Sequence, residues 1–108
     1  MSKYFKEIEE NMDVDFLAKL DKAREYADLP FIINSAYRSP EHNAKVGGKP
    51  GSSHIKGLAV DISAKDSRTR FLILDALFAV GFTRIGIADS FIHVDSDIDK
   101  SQNVIWTY

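Results

Sequence analysis

The sequence predicts an α+β fold, with helices on one side of a mostly antiparallel sheet. Hydrophobic periodicity gives the order helices, strand, strand, helix, and then two or three short strands. The segments 84–88 and 91–95 are joined only by Asp89 and Ser90, and so short a connection permits only antiparallel pairing. Separation of helices from strands in this way is typical of α+β proteins, and 108 residues fit one domain, 1–108.

The chain begins with two segments of helical character. Residues 3–10 carry apolar side chains at helical spacing among charges, which indicates either a short amphipathic helix or a docking arm. Asp13 is a suitable N-cap for a core-facing helix over about 14–28. Pro30 ends that helix because proline cannot continue the hydrogen-bond ladder.

The middle of the chain predicts two strands separated by a short helix and a loop. Residues 31–37 have the composition of a strand. Ser39 is a cap for a short helix whose first position is Pro40. The glycine- and serine-rich segment 47–53 must be a loop, and 57–63 is an apolar strand that carries one acid.

The last part predicts one more helix and the remaining strands. Asp66 or Ser67 caps a helix whose core face holds Phe71, Leu74, Leu77 and Phe78. Gly81 stands where a left-handed residue commonly ends a helix. After the two short strands, residues 103–108 are expected either to add an edge strand or to pack Trp106 on the core.

Composition excludes several classes of function. Fourteen basic and sixteen acidic residues nearly balance, so the chain has no basic field for nucleic acid and no polybasic patch for a membrane. No stretch is long and apolar enough to span a bilayer. Without cysteine, any metal must be held by His, Asp or Glu. We expect a monomer with no nucleic-acid partner and no membrane insertion.

Three residues predict a metal site. His54 ends the loop, Asp61 interrupts an apolar strand, and His93 lies inside another apolar strand. Two imidazoles and one carboxylate suit zinc and leave a fourth position for water, which is typical of catalytic sites. Taken singly, Asp61 is equally explained as a buried ion pair or backbone cap, and His93 as a hydrogen-bonded core residue.

The spacing of these residues resembles a known family. The pattern Ser52-x-His54-x-x-Gly57-x-Ala59-x-Asp61, followed by His93 in Phe-Ile-His-Val-Asp, is similar to the M15 zinc peptidases. That group contains D-alanyl-D-alanine carboxypeptidases and endolysins and shares a core with the hedgehog signalling domain. The stretches 34–43 and 46–48 also resemble a small subgroup found in phages and bacteria.

The resemblance implies a fold, a metal and a substrate. It implies that His54, Asp61 and His93 bind Zn²⁺ and that the protein hydrolyses peptide bonds in bacterial peptidoglycan stem peptides. Arg38 matches the arginine that faces the substrate carbonyl or the developing oxyanion; otherwise it is a surface arginine paired with Glu41. Ser52 matches a serine that lines the substrate site; otherwise it is a turn former.

The general base is where the sequence departs from the family pattern. Better-known members carry a carboxylate three residues before the last histidine, and here that position is Ser90. Asp89 and Asp95 are the nearby candidates. We favour Asp89 as the base, although it is also a simple turn aspartate, and Asp95 as the group that orients a ligand histidine or as the alternative base. His42 falls outside the ligand pattern and is expected to face solvent.

The sequence therefore predicts a zinc metallopeptidase that acts on the cell wall. The N-terminus has no apolar run of the kind found in secretory signals, so we expect synthesis in the cytoplasm and release to the wall through a holin or by lysis, as for a phage endolysin. Two rivals stay open: a non-catalytic zinc-containing module that binds wall peptides or a protein partner, and a domain without metal. The bond that is cut and the mode, carboxypeptidase or endopeptidase, are also open.

Overall fold

The computed structural model describes all residues from Met1 to Tyr108. It contains a 3₁₀ turn at Lys6–Ile8, three α-helices and five strands. The helices are α1 (Val14–Ala27), α2 (Pro40–Lys45) and α3 (Ser67–Ala79). The strands are β1 (Ile33–Ser35), β2 (Ala59–Ser63), β3 (Arg84–Ile87), β4 (Phe91–Asp95) and β5 (Val104–Thr107).

The strands form one mixed sheet in the order β1-β2-β4-β3-β5. Every neighbouring pair is antiparallel except β3 and β5, which are parallel. The α+β class is thus confirmed, and residues 103–108 contain an edge strand as one alternative predicted. The finer likeness to the hedgehog domain stays a prediction. None of the helices has the length and apolar character needed to cross a bilayer.

Side-chain oxygens cap all three helices. Asp13 accepts a hydrogen bond from the amide of Phe16 at 2.8 Å, and Ser39 accepts one from His42 at 3.1 Å. For α3 the cap is Asp66 rather than Ser67, since its carboxylate accepts from Thr69 N at 2.8 Å. These bonds satisfy amide groups that have no partner inside the helix, which is why polar residues at these positions fix where each helix begins.

The prediction for the buried face of α3 was partly wrong. Phe71 and Phe78 are 69% and 47% exposed, whereas Ile73, Ala76 and Leu77 are fully buried. Apolar residues occur around most of this helix, so the sequence contains two overlapping stripes of helical spacing. Packing against α1 and the sheet selects the stripe through Ile73 and Leu77.

The sheet has one apolar and one polar face, and this division positions the site. Val60, Ile62 and Val94 point into the core with side chains from α1 and α3. Because side chains alternate along a strand, Asp61 and His93 point to the opposite face. Their positions are paired across β2 and β4, so the two polar residues lie side by side on that face.

Candidate metal centre

The three predicted ligands meet at one point of the polar face. The Asp61–His93 strand pairing brings His93 Nδ1 to 2.9 Å from Asp61 Oδ1. His54, from the loop before β2, places its Nε2 at 3.3 Å from the same oxygen. One donor atom from each residue lies within 4.8 Å of the others, a grouping that could hold a metal ion.

Hydrogen bonds behind the two imidazoles decide which nitrogen faces the site. His54 Nδ1 lies 2.8 Å from the carbonyl oxygen of Ala36, which can only accept, so Nδ1 carries a proton and Nε2 faces Asp61 Oδ1. His93 Nε2 lies 2.7 Å from Asp95 Oδ2 and donates to it, which leaves Nδ1 facing Asp61 Oδ1, where it can bind either a proton or a metal ion. Partners of this kind orient histidine ligands and raise their basicity.

The donor set fits zinc. Two neutral imidazole nitrogens and one carboxylate oxygen match its preference for mixed nitrogen and oxygen ligands, and three protein ligands leave a position open. All three side chains are nearly buried, yet they border an open pocket. A buried carboxylate between two imidazoles favours a cation close to it, and a metal ion would meet this requirement.

The electrostatics of the site favour a positive charge beside Asp61. Burial acts to raise the pKa of Asp61, but hydrogen bonds from His54 and His93 outweigh it and hold the pKa below its usual range. Burial acts to lower the pKa of His93, but hydrogen bonds to Asp61 and Asp95 outweigh it and raise the pKa. A proton and a metal ion therefore compete for the same place.

Arg38 lies at the edge of the ligand group. Its guanidinium nitrogen is 3.7 Å from Asp61 Oδ2, and the ion pair is with this residue rather than with Glu41. Two further N–H groups donate to Ser35 Oγ at 3.1 Å and to Asn43 Oδ1 at 3.2 Å. The guanidinium is thus held in one orientation with its charge facing the site.

A pocket of about 660 Å³ opens above the three ligands. The loop 47–53 forms one side of it and includes Ser52, whose hydroxyl accepts a hydrogen bond from His54 N at 3.2 Å. His42 is exposed on α2 and lies outside the pocket, as expected. The pocket is large enough for a few residues of a peptide.

Asp95 lies in the pocket wall, but both of its oxygens are engaged. Oδ1 accepts from Arg84 Nε at 2.7 Å and from the amide of Asp97 at 3.1 Å, while Oδ2 accepts from His93. Burial acts to raise the pKa of Asp95, yet the hydrogen bonds, first that from His93, lower it. Its geometry is that of a group that holds a histidine in place.

Asp89 is placed apart from the other candidates. It is exposed on the turn between β3 and β4 and is not among the residues that line the pocket. Its backbone carbonyl accepts a hydrogen bond from Arg70 at 2.9 Å. The structure therefore brings together Arg38, Ser52 and Asp95 with the ligand group, but not Asp89.

Several residues of the site were not predicted. Arg84 pairs with Asp95, Asn43 holds Arg38, and Trp106 and Tyr108 line the pocket. The sequence carried a partial signal for Arg84, a charged residue at the start of an apolar strand, but none for Asn43, which stands among polar residues of α2. Trp106 reaches the site only because β5 lies parallel to β3, which the sequence does not reveal.

Comparison with known families gives a match over most of the chain. The sequence profile of the family described as Peptidase M15 matches residues 1–95. A comparison with curated proteins finds no match. The family consists of zinc peptidases, and the matched range contains the whole grouping of His54, Asp61 and His93. The chain therefore belongs to the Peptidase M15 family.

Proposed function

We propose that this protein is a zinc-dependent peptidase that hydrolyses peptide bonds in bacterial peptidoglycan stem peptides. The observation that carries the proposal is the convergence of His54 Nε2, Asp61 Oδ1 and His93 Nδ1 beneath a peptide-sized pocket. Membership of the M15 family supports peptidase chemistry. The resemblance to wall-degrading members supports the substrate.

The three ligands would hold the zinc ion. When bound, zinc polarises a carbonyl and lowers the pKa of a water molecule to about 7. Arg38 supports the same reaction because its fixed charge faces the site and can stabilise an oxyanion. Ser52 and the rest of the loop 47–53 border the pocket and would orient the peptide.

The residue that accepts the proton from water is proposed from the sequence alone. The positions of the two candidates, Asp89 and Asp95, also favour a second candidate function. Asp89 remains our proposed base, with Asp95 in the positioning role, but only Asp95 borders the pocket and its oxygens are engaged. No uncommitted carboxylate therefore lines the pocket. This observation favours, as the second candidate, a zinc-containing module that binds wall peptides or a protein partner without cleaving them.

Digestion of purified peptidoglycan tests the first function. We expect the protein to release cut stem peptides, to lose this activity with a chelator and to regain it with zinc. Mass spectrometry of the products would identify the bond, D-Ala-D-Ala or L-Ala-D-Glu, and the mode of attack. Intact stem peptides across several wall chemistries, from protein that carries zinc, would favour the binding module.

Conservative variants of the two aspartates test the assignment of the base. If Asp89 accepts the proton, Asp89→Asn should lower kcat by about 10²- to 10⁴-fold with zinc retained. If Asp95 holds His93 in place, Asp95→Asn should weaken zinc binding, and activity should return when zinc is supplied in excess. If the Asp89→Asn variant kept full activity, Asp89 could not be the general base.

The proposed substrate also implies a place of action. The cell wall lies outside the cytoplasmic membrane, so the protein must reach it. We propose release by a holin or by lysis, in a phage or prophage setting. Lysis of host cells only when the protein and a holin are expressed together would support this setting, and lysis by the protein alone would contradict it.

A further inference from the structure

The last strand of the protein lies outside the family match but forms part of the pocket. The match ends at residue 95, whereas β5 spans Val104–Thr107. Trp106 and Tyr108 nevertheless line the pocket together with Phe91. We call these three residues the aromatic wall. They are the only hydrophobic residues in the lining, which is otherwise made of glycine and of polar or charged residues.

Trp106 is fitted closely against the metal centre. Its ring centroid lies 5.4 Å from that of His93, and the Arg84 guanidinium carbon lies 5.0 Å from the indole ring. The absence of a side chain at Gly86 makes room for it, since a Cβ there would lie 2.5 Å from the indole Nε1. The indole therefore occupies a defined position beside a candidate zinc ligand.

Tyr108 and Phe91 extend this surface towards the pocket mouth. Their rings lie 5.2 Å apart, and Tyr108 is 70% exposed. Aromatic faces bury aliphatic groups favourably, whereas the remaining lining offers hydrogen bonds and charge. A peptide in this pocket therefore has one place where an apolar side chain is removed from water.

We propose that the aromatic wall is a substrate subsite that takes the aliphatic side chain of a residue next to the scissile bond. The inference rests on the proposed peptide substrate, but not on cleavage. The wall lies against His93, so a side chain seated on it belongs to a residue held beside the metal centre. Residues 104–108 then determine specificity in this chain, although the family match does not include them.

Trp106 provides a direct readout because it is the only tryptophan in the chain. The probe is the pentapeptide L-Ala-γ-D-Glu-L-Lys-D-Ala-D-Ala, and its control is the same peptide with glycine in place of every alanine. Each peptide is mixed with the zinc-loaded protein, and emission is read before turnover. KM and kcat follow from the products. We expect the alanine peptide to change the emission and to bind about tenfold more tightly than the glycine peptide.

Three variants and one control locate the effect. Trp106→Ala removes the centre of the wall, Gly86→Ala displaces the indole without removing it, and Tyr108→Ala trims the mouth without touching His93. We expect each to reduce the discrimination between the two peptides, with KM rather than kcat affected in Tyr108→Ala. The control Ile105→Ala changes the same strand on its other, exposed face and should bind as the wild type does.

Wild-type discrimination in both Trp106→Ala and Tyr108→Ala, measured by calorimetry with unchanged zinc content, would overturn the subsite. If Trp106→Ala does not fold, Tyr108→Ala and Gly86→Ala decide the question. Discriminating binding without cleavage would support the wall and contradict the peptidase. Cleavage of both peptides with equal KM would contradict the proposed subsite but would still support the proposed peptidase activity.

Discussion

Asp95 connects the candidate metal centre to β3 and, through Arg84, to the segment that leads into β5. Its two oxygens bind His93 on one side and Arg84 on the other. Arg84 in turn donates to the carbonyl oxygen of Ser101 at 2.6 Å and lies against Trp106. One buried carboxylate thus fixes His93, Arg84 and, through Arg84, the segment before β5. Its loss should affect metal affinity before it affects the rest of the fold.

We expect Asp95→Asn to weaken zinc binding by about 10- to 100-fold, the effect usual for the partner of a ligand histidine. The amide cannot accept from both Arg84 and His93 as a carboxylate does. Zinc titration against a competing chelator measures the change. Asp99→Asn is the control, since Asp99 is exposed and pairs only with Lys56. Equal zinc affinity in Asp95→Asn and wild type would contradict the positioning role.

The conformation of the loop that carries His54 depends on the backbone of one residue, Gly57. Gly57 has φ +70, and a Cβ at this position would lie 2.1 Å from the carbonyl oxygen of Asn11. Its own carbonyl accepts from Asp13 N at 2.9 Å, which ties the loop to the start of α1. A side chain here would have to move the loop, and His54 with it.

Gly57→Ala should therefore lower the free energy of unfolding by more than about 1 kcal/mol, through both a left-handed backbone and a clash. Urea denaturation at pH 7 measures the loss. Gly51→Ala, in the same loop, has no positive φ and no atom within 4 Å of the added Cβ, so it should be nearly neutral. A similar small effect in both variants would disprove the tight contact at Gly57.

The connection from β4 to β5 is held by a buried ion group around Asp97. Its carboxylate accepts from Ser53 Oγ at 2.8 Å and from Lys56 Nζ at 3.0 Å. Burial acts to raise the pKa of Asp97, but these hydrogen bonds, led by that from Lys56, lower it. A carboxylate whose pKa is lower in the folded state stabilises the fold above its unfolded pKa, and this contribution is lost as the pH falls through the folded pKa.

Asp97→Asn should thus be less stable than the wild type by about 2 kcal/mol at pH 7, the usual effect of hydrogen bonds to a charged group. The difference should shrink below about pH 4, where the carboxylate of the unfolded chain begins to take up a proton while that of the folded protein stays ionised. Urea denaturation of both proteins across this range gives the comparison. A difference that does not depend on pH would mean that packing, not charge, holds this connection.

The elements were predictable to different degrees. Features that depend on local chemistry were found as expected. They are the caps of α1 and α2, the left-handed backbone of Gly81 (φ +91) and the bounds of β4. The outward position of Phe71 was missed because α3 is apolar on most sides, and only packing selects its buried stripe. The parallel pairing of β5 was missed because a distant strand decides it.

At the scale of the whole molecule, the site follows from a sheet with two unlike faces. Helices α1 and α3 bury the apolar face, and the polar face holds the three candidate ligands under an open pocket. The proximity of Asp61 and His93 was predictable because an acid or a histidine in an apolar strand needs a partner, and their role as metal ligands stays a prediction. The residues around them were not, since Arg84, Asn43 and Trp106 become neighbours only through strand order and loop packing.

The central claim is that His54, Asp61 and His93 together hold one zinc ion, and metal analysis of the purified protein tests it most directly. We expect one zinc per chain in the wild type and none in His54→Ala, with the fold of the variant checked by circular dichroism. His42→Ala, which alters an exposed histidine outside the pocket, should keep the zinc. A wild type without zinc after metal loading, or a folded His54→Ala that keeps a full equivalent at wild-type affinity, would contradict the claim.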